Sequence, residues 1–130
     1  MLVDQAIGRT DAIDLTEMVS IIPDRPIDLD QLSRASHNDR EMMRQILTVF
    51  DLQADVLLTR MASEGPKTAA ARAHTLAVSA RVLGAWKVAE CAGAFEQVAL
   101  EPGPVMLSSA MNRLSAAVTE AQAEIANILS

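Results

Sequence analysis

From about residue 27 onward, apolar residues recur at helical spacing, and no stretch alternates apolar and polar residues long enough to form a strand. Ile27, Leu29 and Leu32 anchor a short helix predicted over 28–35. A second helix begins near Asn38, a good N-cap, with Asp39 and Glu41 in its first turn. Its apolar positions Met42, Met43, Ile46, Leu47, Val49, Phe50, Val56, Leu57 and Met61 run to a stop at Glu64-Gly65-Pro66, with Gly65 as the C-terminal cap. Further helices are predicted over 67–83, 85–100 and 105–129, broken at Gly84 and at Glu101-Pro-Gly-Pro104. In the last, Leu107, Met111, Leu114, Ala117, Val118, Ala121, Ile125 and Ile128 form one apolar stripe. Long helices with short connections predict an all-α fold: an antiparallel up-down four-helix bundle, capped at one end by the short helix.

Residues 1–26 differ from the rest. They hold Gly8, Pro23 and Pro26, and Ile13, Met18, Ile21 and Ile22 mark a weakly amphipathic piece. This extension is either a short helix docked on the domain or a trailing tail; the Pro-Asp-Arg-Pro run at 23–26 marks the boundary.

Composition narrows the function classes. The 130 residues carry 17 acidic and 11 basic side chains, a net charge of −6. Nucleic acid is a poor partner for such a chain, because phosphate binding needs a basic patch. One cysteine, Cys91, excludes an intramolecular disulfide and any zinc site built on several thiolates. No apolar run approaches the ~18 residues that span a bilayer, so no membrane segment is expected and a cytoplasmic protein is the default. Cys91 reads as a small core residue, and Trp86 as partly buried.

The informative chemistry lies on the third long segment. At ~100° per residue, Ala69, Ala73, Leu76, Ala80 and Leu83 fall between about 180° and 260° from His74, and form the predicted buried stripe. Lys67, Ala77, Val78 and Arg81 fall on the side of His74. His74 is therefore expected in solvent, held rigidly in mid-helix beside small neighbours. An exposed imidazole is a competent nucleophile near neutral pH. Arg81 leans back towards it over an axial gap of ~10 Å. A surface histidine without a role is the plain alternative. A metal site is not expected: His37, placed before the second helix and read as inert, is the only other histidine.

The run His74-Thr-Leu-Ala-Val-Ser79-Ala80-Arg-Val-Leu83-Gly84-Ala85 resembles the signature of histidine-containing phosphotransfer (HPt) domains. That signature is His-x-Leu-Lys-Gly-Ser-Ser/Ala, then a hydrophobic residue and a closing Gly. Val88-Ala-Glu-Cys91-Ala-Gly-Ala-Phe95-Glu96 resembles the next helix of the family. Ile27-Asp-Leu-Asp-Gln-Leu32 and Met43-Arg-Gln-Ile-Leu-Thr-Val-Phe50 resemble its first two. The likeness covers about residues 27–129.

The resemblance implies a phosphorelay carrier without turnover of its own. His74 would accept a phosphoryl group from a receiver-domain aspartate and pass it to another receiver. The partners would be response-regulator receivers or a hybrid histidine kinase; the carrier would be monomeric and hold no cofactor, the receiver supplying Mg²⁺. Arg81, Glu96 and Ser79 would surround the phosphohistidine, Glu96 by bonding the imidazole and fixing its tautomer. Gln97 is its neighbouring alternative. Ala77, Val78 and Arg81 would meet the partner. Two positions depart from the signature. Ala77 stands for the Lys and Val78 for the Gly, which removes a charge-assisted contact and fills docking space. Arg81, or Arg40 and Arg44 of the second helix, would have to replace that charge. The departures equally suit an adaptor that binds receivers without transferring phosphate.

Overall fold

A computed structural model describes residues 25–101 and 104–130; the amphipathic piece at 11–22 lies outside them. Among the described residues there are five helices and no strand: α1 (Leu29–Ala35), α2 (Arg40–Ser63), α3 (Pro66–Val82), α4 (Trp86–Ala99) and α5 (Pro104–Leu129). All-α is thus the observed class, with boundaries within about two residues of those the periodicity predicts.

Local chemistry explains the ends, and corrects two of them. Asp28 caps α1 by accepting from the backbone N–H of Asp30 and Gln31. The cap of α2 is Asp39 rather than Asn38, accepting from Met42 N–H at 3.1 Å. Asn38 and His37 instead take left-handed conformations (φ 60° and 53°), which polar side chains tolerate in a tight turn. Gly65 does not close α2. It is extended and precedes Pro66, the first residue of α3, where a missing N–H costs nothing. Arg72 grips Glu64 through two hydrogen bonds of 3.0 and 3.1 Å across this corner, holding the Glu64 carboxyl below its usual range.

Gly84 does take the predicted left-handed cap, at φ +76°. A second constraint acts there: a Cβ on Gly84 would lie 2.6 Å from Asp28 Cβ and 2.8 Å from its carbonyl oxygen. Asp28 N–H donates to Gly84 O at 2.9 Å, and Asp28 Oδ2 accepts from the half-buried Trp86 Nε1 at 2.8 Å. That indole bond is the main reason the Asp28 carboxyl lies below its ordinary value; burial opposes it and the two cap bonds assist. The entry of α1 is therefore bolted to the α3–α4 turn.

The core runs through Ile27, Leu32, Leu47, Phe50, Leu76, Leu83, Val88, Phe95, Leu114, Val118 and Ile125. Leu29, expected as an anchor, is exposed. α3 packs on α2 and α4, α5 packs on α4 and returns to α2, and α1 touches α2 and α3. α3 and α4 pack together closely, and their buried faces are mostly alanine: Ala69, Ala70, Ala73, Ala77 and Ala80 on α3, Ala89, Ala92 and Ala99 on α4. Small side chains let two backbones approach closely.

Candidate functional site

His74 sits in the middle of α3, its side chain 63% exposed. Across the interface, half-buried Glu96 of α4 places Oε1 3.3 Å from His74 Nδ1. A carboxylate can only accept, so in this contact Nδ1 carries the proton. The neutral ring then keeps its lone pair on Nε2, on the far edge of the imidazole. One contact thereby fixes ring orientation and tautomer, and leaves a nucleophilic nitrogen unblocked.

The buried arc of α3 is wider than its leucines indicate, and this moves several expected neighbours. Ala77 is 1% exposed, so it cannot contact a partner. Ala70, Ala73 and Ala77 are all buried, which shifts the buried arc towards the flank that carries His74. Val78, one position on, is exposed and takes the place expected of Ala77. Ser79 does not join His74 either. It lies on the opposite flank of α3, half-buried in a cleft with Gln45, Ile46, Val49 and Gln53 of α2. Arg81 is exposed, and no hydrogen bond or ion pair links it to His74 among the described residues.

Arg40 and Arg44 do not supply the missing charge. They share the α2 flank of Asp51 and Asp55, which faces α5: Gln122 Nε2 donates to Asp51 O at 3.4 Å and Asp55 Oδ1 at 2.8 Å. His74 lies beyond α3 from that flank. Gln97 is exposed, and the imidazole contact is made by Glu96. Thr75 bonds back to Ala71 O, and His37 stays in solvent.

No family model, curated protein or solved structure matches the chain significantly. What the site can do follows from its own chemistry.

No group of three His, Cys, Asp or Glu residues is placed to hold a metal ion among the described residues. A cleft of about 580 Å³ lies between α4 and α5, lined by Lys87, Cys91, Arg113 and Glu120 among others. It opens on the face of α4 opposite Glu96. Cys91 at its wall is half-buried, and desolvation, aided by the Glu90 charge, pushes its thiol up. The thiolate that a nucleophile needs is therefore scarce at neutral pH. Among the described residues no helix is long and apolar enough to cross a membrane.

Proposed function

We propose that the chain is a phosphorelay carrier resembling HPt domains, with His74 as its phosphoryl acceptor. The observation that carries this reading is the exposed imidazole with Nδ1 engaged by Glu96 and Nε2 open. In the proposed step the Nε2 lone pair attacks the phosphorus of a receiver's aspartyl phosphate. The P–O bond to the aspartate breaks, and the carboxylate leaves with its electron pair. Glu96 stabilises the positive charge that develops on the ring. The reverse step, onto a second receiver's aspartate, regenerates neutral His74. The docking face would centre on Val78, with Arg81 at its edge, rather than on Ala77.

The fold supports this reading at its finer level too. Each long helix contacts the next, α5 returns to α2, and α1 sits across α2 and α3, as an up-down four-helix bundle with a capping helix requires. The cleft residues pair the first half of α2 with the last half of α3, as antiparallel neighbours do.

A second reading, an adaptor that binds receivers without taking phosphate, draws on there being no cation bonded at His74 among the described residues and on exposed Val78 where the signature has Gly. Incubation with a panel of phosphorylated receivers separates the two. The carrier acquires acid-labile, base-stable phosphate, lost in His74→Ala. Binding of a receiver with no labelling by any of them overturns the carrier reading in favour of the adaptor.

A further inference from the structure

α2 exposes an apolar line that none of the other described helices covers. Met42, Val49 and Val56 recur every seven residues, with Ile46 between them, and Leu52 stands alongside. Val49 is 61% and Leu52 64% exposed. A seven-residue apolar repeat is the pattern by which one helix receives another. Val82, exposed at the end of α3, forms the opposite wall of the shallow cleft with Ser79. From Met42 to Val56 the line is ~21 Å long at 1.5 Å per residue.

We infer that residues 11–22 of the same chain dock along this line. Three observations select this occupant. First, Leu15, Met18, Val19 and Ile22 are spaced i, i+3, i+4 and i+7, one apolar face of a helix. Twelve helical residues measure ~18 Å, which matches the line. Second, the described chain starts beside the cleft. Asp28 is bonded to Gly84 O, and Gln31 Nε2 reaches Val82 O at 3.5 Å, at the end of α3 where the cleft begins. The six residues from Ile22 to Asp28 reach up to ~20 Å, enough to enter at Met42 and run towards Val56. Third, the charges match. Residues 1–24 carry Asp4, Asp11, Asp14, Glu17 and Asp24 against Arg9. Run in that direction, the acidic Asp11 end points towards Arg60, which continues the line Met42, Ile46, Val49, Gln53, Val56.

The inference does not depend on phosphate chemistry. If His74 is a carrier, the docked segment lies next to the face a receiver must use.

The test is paramagnetic broadening in the full-length chain. A nitroxide is placed at Leu15→Cys in a Cys91→Ser background, on ¹⁵N-labelled protein diluted into unlabelled chain. Docking predicts selective signal loss at the amides around Val49, Leu52 and Val56, unaffected by dilution. Val49→Asp should abolish the loss and leave the amide signals of α3, α4 and α5 unchanged, because no described helix packs on Val49. Even broadening, or none, overturns the inference and makes the segment a tail. Loss that fades on dilution also overturns it, because a second copy is then the occupant.

Discussion

At the scale of single residues, the Glu96 contact is the simplest variable to isolate. Glu96→Ala should leave His74 exposed but free to exchange protons between its nitrogens. Imidazole ¹⁵N shifts will then move from the Nδ1–H form towards Nε2–H. One hydrogen bond contributes ~0.5–1.5 kcal/mol, so phosphoryl uptake should slow by up to about tenfold. Ala77 and Val78 separate burial from exposure. Ala77→Lys forces a long side chain into a closed interface and should cost ~1–3 kcal/mol of stability in a denaturant titration. Val78→Lys, one residue away, should stay within about 0.5 kcal/mol. The sequence pattern placed His74 on the surface correctly but misassigned Ala77. Alanine is tolerated on either face of a helix and marks neither. Its burial depends on where α4 lies, which a 3.6-residue period does not contain. The closeness of Glu96 likewise depends on the offset between α3 and α4; it was legible only through the resemblance.

Among elements, the junction of α1 with the α3–α4 turn is the most constrained. Gly84→Ala must hold an L-residue at φ +76° and push its Cβ into the Asp28 backbone. A loss of at least ~2 kcal/mol is expected from unfolding curves. Asp28→Ala removes a cap worth ~1 kcal/mol and strands the Trp86 N–H. The pH dependence has a definite sign. The folded carboxyl of Asp28 lies below its unfolded value, so its contribution is present above about pH 3.9 and is lost as pH falls through the folded value. The gap between wild type and Asp28→Ala should therefore be full at about pH 6 and narrow towards about pH 2.5, measured by urea midpoints. Helix ends were read with the right kinds of residue but not always the right ones. Asn38 and Asp39 are both good caps, and only the turn's backbone chooses between them. Gly65 followed by Pro66 reads equally as an ending or a beginning. The Asp28–Trp86 bond spans 58 residues and has no local signature.

Across the whole molecule, the four long helices were legible because each carries an apolar stripe with Gly or Pro at one end or both. The width of each stripe was not. Met42, Val49 and Val56 belong to the same periodic run as Leu47 and Phe50, yet only the latter two are buried. α2 packs on α1, α3 and α5, and its apolar arc exceeds what these neighbours cover. Paired substitutions should expose the distinction. Leu114→Ala, in the core, should cost ~2–5 kcal/mol. Leu52→Asp, on the line that no described helix covers, should cost clearly less than this, because none of the described core packs on it.

The alanine-lined contact between α3 and α4 also bears on how the protein can change over generations. A single-nucleotide substitution in an alanine codon gives Gly, Ser, Thr, Val, Pro, Asp or Glu. Gly and Pro weaken the helix, Val and Thr are too large, and Ser, Asp and Glu bring in polar groups without partners. Every accessible step from these positions carries a penalty. The scaffold holding His74 opposite Glu96 should therefore drift slowly, while the exposed line on α2 is free to follow whatever covers it.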